Sequence, residues 1–310
     1  MNIRIRNIAV TILLTAGLIV PIWMWMRPSS PEKPSSSVIN GSTPVRGTLT
    51  VAVDPSLLPV ARLQSQVFTE HYPQATVNFS AGNPEPPVLQ LLHRKAGGAI
   101  IEGDLSRQED SLLVSMNPPM KRQPIARNAL VLVVNSANPV RSISVADLKS
   151  VFSGRVTEWK VIGGKSGTIV ACLDGSDLRA RSVLSGLLFD RPEQLSAVAE
   201  PDEKQLIARV RADEHVAAIM TLPAYAQALR TGGIKALPVS GVHGGEPVSA
   251  NPETVYSGTY PLVTIVNYLY NPYDAVATGF GAWLAKEGQK LFERGDMAPF
   301  EQPVRNIILK

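Results

Sequence analysis

Apolar runs of strand length alternate with amphipathic stretches along most of the chain. Residues 48–53, 76–81, 99–102, 129–135, 168–173, 217–222, 234–239 and 262–270 are short and rich in branched side chains, which predicts strands. Between them, 57–71, 88–95, 145–152, 178–188 and 203–211 carry apolar residues at helical spacing. This alternation predicts an α/β fold with largely parallel sheets and helices on both faces. Ligands in such folds sit at the loops leaving the carboxyl ends of strands, beside helix N-termini. The stretch from Ser144 to Gly154 shows how one helix is encoded. Ser144 can cap its start, Asp147 suits the positively polarised first turn, Leu148, Val151 and Phe152 share a face, and Gly154 can supply the left-handed stop.

The N-terminus has a different pattern. Residues 8–26 are nineteen positions without a charge, long enough at ~1.5 Å per residue to cross a ~30 Å hydrocarbon core. Arg4 and Arg6 precede this run, and Arg27 follows it beside Trp23 and Trp25, whose rings suit a membrane interface. The run reads as an uncleaved anchor, a single pass with the short tail inside and the body outside. A cleaved signal peptide has the same charge order, but it normally ends in a small-x-small site, and Met24-Trp25-Met26 is not one. Residues 28–46 hold four prolines and six serines and form a tether unable to build a core. The domain boundaries predicted are therefore 1–27 for the anchor or signal, 28–46 for the linker and 47–310 for the folded body.

Composition narrows the class. Of 310 residues, 45% are hydrophobic and 18% charged, enough to bury a large core. The net charge of +4 lies entirely in residues 1–46; the other 264 residues carry 25 basic and 25 acidic side chains, so no nucleic acid is expected as a partner. Cys172, the lone cysteine, sits in an apolar run and reads as buried and inert. His71, His93, His215 and His243 have no metal-ligand spacing. Gly163-Gly-Lys-Ser-Gly-Thr168 lacks the first glycine of a P-loop and precedes a strand, and His243-Gly-Gly has no nucleophile elbow to serve. Tyr256, Tyr260, Tyr268, Tyr270 and Tyr273 read as packing. No catalytic residue, metal or cofactor is expected, and the chain does not read as an enzyme.

Residues 143–164 resemble a signature of the phosphate-binding proteins that feed bacterial phosphate ABC transporters. Leu148, Val151, Phe152, Gly154, Trp159, Gly163 and Gly164 match its pattern, and Tyr260-Pro-Leu262 and Glu287-Gly-Gln-Lys290 match near the other end. The resemblance runs in order from about Gly47 to Phe300. It implies a two-lobed α/β fold of the type II periplasmic-binding-protein kind, preceded here by one transmembrane helix. Lobe 1 would hold 47–125 and 250–310, and lobe 2 would hold 126–249, with a ligand in the cleft.

The family's phosphate ligands match this chain unevenly. Ser56 stands at the first helix start between Pro55, which has no N–H, and the rest of a loop opened by Asp54. Ser80 opens a loop with three prolines and Glu85 where the family has glycines and serines. Asp104 falls where the family's proton-accepting aspartate is expected. Ser176 takes a serine position, Asp177 replaces a glycine, Cys172 takes the arginine position, and Arg179 is near enough to replace that cation. The resemblance thus implies Ser56, Ser80, Asp104, Ser176, Asp177 and Arg179 as ligand-binding residues. The ligand is phosphate, another oxyanion or another small molecule, and an inner-membrane transporter or envelope complex reads closure. A ligand-free adaptor or sensor built on the same scaffold is the alternative.

Overall fold

The computed structural model describes residues 42–80, 85–189 and 195–302. The expected anchor and most of the expected linker lie outside these residues. No helix among the described residues is long and apolar enough to cross a membrane.

In chain order, β1 (Gly47–Val53), α1 (Leu58–His71), β2 (Ala75–Phe79), α2 (Pro87–Leu92), β3 (Gly98–Glu102) and α3 (Arg107–Ser115) lead to the long strand β4 (Lys121–Asn135). Next come β5 (Ile143–Ser144), α4 (Val145–Phe152), β6 (Val170–Asp174), α5 (Leu178–Leu188), β7 (Val198–Glu200) and α6 (Glu203–Ala212). They are followed by β8 (Val216–Thr221), α7 (Leu222–Leu229), β9 (Ile234–Ala236), β10 (Val239–Ser240) and α8 (Pro252–Ser257). The chain returns through β11 (Val263–Tyr270), α9 (Ala275–Ala285), α10 (Gln289–Glu293) and β12 (Ala298–Pro299).

The main sheet runs β2-β1-β3-β11-β4-β8-β6-β7. It is mixed rather than largely parallel. The outer pairs β1/β2, β1/β3, β6/β7 and β6/β8 are parallel, but β11 lies antiparallel to β3 and β4, and β4 antiparallel to β8. The antiparallel centre follows from the path of the chain, which leaves the first lobe along β4 and comes back along β11. Residues 121–129 of β4 pair with β11, whereas 130–135 pair with β8 and β9. The apolar cores divide at the same place. Leu49, Phe68, Ile125, Val266 and Phe280 belong to a core of the first lobe, and Leu130, Phe152, Leu173, Val216 and Tyr260 to that of the second. Val255, Tyr260 and Leu262 pack in the second core, although the resemblance assigned residues from 250 onward to the first lobe.

Local chemistry sets most element ends. The Ser144 hydroxyl accepts the Asp147 N–H at 3.1 Å at the start of α4, and Gly154 beyond its end has φ +73°. Trp159, 3% exposed, donates its indole N–H to the His215 carbonyl at 3.1 Å, and Gly163 takes φ +83° after the short turn, so the family-like motif is a packing unit of the second lobe. The run 234–239 divides into β9 and β10 at Pro238, which lacks the N–H a continuous strand needs. Helix α9 has no polar face and therefore no helical period to read. Six of its residues are buried, and Gly279 passes so close to Pro44 that a Cβ there would fall 1.9 Å from the Pro44 carbonyl oxygen. Residues 42–46, assigned by composition to the linker, thus dock on the body, and Thr43 and Arg46 exchange backbone hydrogen bonds of 2.9 and 3.1 Å.

Candidate functional site

Three strand ends face one another where the lobes meet. From the first lobe come Asp54 and Ser56 after β1, and Glu102 to Asp104 at the end of β3; from the second come Asp174 to Arg179 after β6. Asp54 is 2% exposed and accepts the Glu102 N–H at 2.7 Å. Glu102, equally buried, accepts the Asn128 side-chain N–H of β4 at 2.9 Å and the hydroxyl of Thr264 on β11. Its carboxylate therefore rests on the two strands that join the lobes.

Two contacts bridge the cleft. The Ser56 hydroxyl donates to Asp177 Oδ2 at 2.8 Å, while the other oxygen of Asp177 caps α5 by accepting the N–H groups of Arg179 and Ala180 at 3.1 and 3.0 Å. The Arg179 side chain, 11% exposed, crosses to the first lobe. It donates Nε to the Glu102 carbonyl at 2.8 Å, Nη1 to Glu109 Oε1 at 2.9 Å and Nη2 to the Asp104 carbonyl at 2.7 Å, with Asp54 Oδ2 4.0 Å from Nε. A single guanidinium thus serves the buried carboxyl of Asp54 and the half-buried one of Glu109, with the buried carboxyls of Glu102 and Asp177 nearby on other partners.

This crowding shifts proton affinity. Burial, reinforced by the charge of Asp177, holds Asp54 well above the usual carboxylate range, with the Glu102 N–H and Arg179 only partly offsetting it. Burial lifts Glu102 to about 7 against the hydrogen bonds from Thr264 and Asn128. Asp177 is raised by burial and opposed by Ser56 and the amides it caps. Burial also pushes Glu109 upward, but its bonds to Arg179 and the Ser106 N–H bring it below its ordinary value. Near neutrality, carboxyls of this kind can carry protons and act as donors as well as acceptors. Among the described residues no three His, Cys, Asp or Glu side chains are placed to hold a metal ion.

Residues 39–287 match the family model described as a PBP superfamily domain. The chain belongs to the PBP superfamily. A phosphate-binding protein PstS of Bacillus subtilis is 26% identical over 286 residues, spanning 91% of this chain and 87% of that one. A phosphate ABC transporter substrate-binding protein of Clostridium perfringens, solved with phosphate bound, superposes with a TM-score of 0.69 at 18% identity, over 82% of this chain and all of the other. An ABC-type phosphate transport receptor from Vibrio cholerae gives 0.62 at 17% identity, over 81% and 99%. The two structures share the fold, and the superfamily places the chain among binding proteins and not among enzymes.

Against that family pattern, the structure gathers only part of the residue set expected from sequence. Ser56, Asp177 and Arg179 meet in the cleft of this PBP-superfamily chain. Asp104 contributes its carbonyl only, because its carboxylate is 82% exposed and pairs with Arg122. Ser176 is exposed and folds back on Asp174, receiving no cleft partner, with N–H and hydroxyl at 2.8 and 2.7 Å from Asp174 Oδ1. The Ser80 hydroxyl is given to Gln90 at 2.7 Å, and Glu85 is held by His93 and Lys95 at 2.7 and 2.9 Å. Sequence reasoning missed Glu102 and Glu109. The signal for Glu102 was a lone acid closing the fully buried strand Gly98–Glu102 at its carboxyl end, and that for Glu109 was the capping box it forms with Ser106.

Proposed function

We propose that this chain is an extracytoplasmic solute-binding protein, tethered through residues 8–26, that takes phosphate or another small oxyanion between its lobes and presents the closed form to an inner-membrane ABC transporter. The observation that supports it is the convergence of Ser56, Asp177 and Arg179 from opposite lobes at the carboxyl ends of β1 and β6. The relatives named for phosphate, one of them matched across 91% of this chain, point the same way. The two lobes, joined by β4 and β11, close on the solute because the closed state binds it better than the open one.

An oxyanion here needs Arg179 released toward it and protons on the facing carboxyls, so that acceptors which repel it become donors. Glu102, raised to about 7, supplies such a proton near neutrality. Binding is therefore expected to weaken from pH 6 to pH 8. The test is thermal unfolding of the chain with phosphate titrated against sulfate and chloride at both pH values. A ligand at 100 times its Kd raises stability by about 2.7 kcal/mol. A phosphate-specific rise, larger at pH 6, supports the reading. No rise with any oxyanion at millimolar concentration overturns it in favour of a ligand-free adaptor or sensor in an envelope complex. One observation favours that second reading: each of the three guanidinium nitrogens of Arg179 already donates to a protein acceptor.

A further inference from the structure

The hydrogen-bond acceptors around Arg179 form a pocket of a particular chemistry. All of them belong to the first lobe: the carbonyls of Glu102 and Asp104, the carboxylate of Glu109 and, at 4.0 Å, that of Asp54. The guanidinium is planar, and each of its three nitrogens finds a separate acceptor within 2.9 Å. Its residue belongs to α5 of the second lobe, and the acceptor nearest in sequence, Glu109, lies 70 residues away. An arginine held for an incoming anion would keep N–H groups pointed at open space. This one has its donors committed to the opposite lobe, as a bound ligand would.

We propose that Arg179 is a built-in ligand: carried by the second lobe, its guanidinium fills an acceptor-lined pocket of the first lobe and latches the cleft shut without solute. The Ser56–Asp177 bond closes beside it and depends on the same approach of the lobes. Positioning follows from local structure, since Asp177 caps α5 and fixes the helix start from which Arg179 projects. On the first lobe, Ser106 and Glu109 form a reciprocal capping box that holds the Glu109 carboxylate at the start of α3. A latch of this kind sets a threshold, because a solute must compete with a tethered guanidinium of high effective concentration before it can occupy the centre. The inference rests on the two-lobed cleft of the proposed binding function but not on the identity of its solute.

The test is amide hydrogen exchange followed by mass spectrometry on the full chain, wild type and Arg179→Ala, with methylguanidinium or its neutral analogue urea added at millimolar concentration. Loss of charge-assisted bonds between lobes is expected to speed exchange roughly tenfold in 54–57 and 176–180 while the β8 and α9 amides stay protected. Methylguanidinium should restore the slow exchange of Arg179→Ala and leave the wild type unchanged, and urea should restore nothing. Should Arg179→Ala not fold, Glu109→Gln decides: it keeps a capping-box side chain, removes the charge that faces Nη1, and should speed exchange in the same peptides. Unchanged exchange in those peptides, or a methylguanidinium effect no larger than that of urea, overturns the latch. Phosphate added in a parallel arm separates the two ideas. A phosphate response in a variant that exchanges like wild type refutes the latch alone, and an opened, methylguanidinium-rescued variant with no phosphate response refutes the oxyanion reading alone.

Discussion

Replacing Glu102 by glutamine should stabilise this protein, and by an amount that depends on pH. The carboxyl of Glu102 is fully buried, and its proton affinity rises from an ordinary 4.5 to about 7 on folding. A buried acid of this kind contributes its full stability below the unfolded value and loses it as pH rises through the folded value, because the folded state then has to hold a charge away from water. The interval from 4.5 to about 7, at about 1.4 kcal/mol per pH unit, corresponds to about 3 kcal/mol lost by pH 8. Glutamine mimics the protonated acid. Its carbonyl can accept from Thr264, and its N–H can donate to Asn128 Oδ1, which has no partner in the wild type, once the Asn128 amide is reversed. Urea unfolding of wild type and Glu102→Gln at pH 5 and pH 8 should show nearly equal stability at pH 5 and a gain for the variant at pH 8 approaching 3 kcal/mol. Asp54 and Asp177 titrate in both proteins, and because the charge of Asp177 acts on Glu102 and that of Glu102 on Asp54, the difference reports the acid together with that coupling. A gap of the same size at both pH values, or a variant less stable at pH 8, would refute the assignment of burial as the dominant cause.

Two further substitutions probe elements that position the cleft. Asp177→Ala removes the acceptor for two amides at the start of α5 and should cost about 1 kcal/mol in urea unfolding, whereas Asp177→Asn keeps the cap and should unfold at a higher midpoint than the alanine variant. Gly279→Ala places a methyl group against the Pro44 carbonyl and should cost about 1–3 kcal/mol, read as a lower Tm together with faster proteolysis within residues 42–46; an unchanged cleavage rate would show that this segment is not docked through α9.

The alternation of short apolar runs with amphipathic stretches determined the α/β class, and it located α4, α5 and α6 within a residue or so of their ends. The motif around Phe152 and Trp159 likewise carried its own packing, because burial of large apolar side chains and glycine stops at Gly154 and Gly163 are local properties. Helix α9 escaped because its sequence, with Thr278 its one polar side chain, shows no polar face even where it meets solvent. The candidate site was legible only in part. Glu102 and Asp104 stand two residues apart, and sequence gave no reason to prefer the first. Gly103, at φ +73°, ends the alternation of β3, so one carboxyl enters the cleft floor while the other turns out to Arg122. Nor does any local pattern record that Arg179 will find Glu109 seventy residues away. Hydrophobic periodicity and capping are fixed by neighbours along the chain, so sequence alone determined them. Which charges meet, and which are left to share one cation between the lobes, depends on distances that only tertiary structure sets.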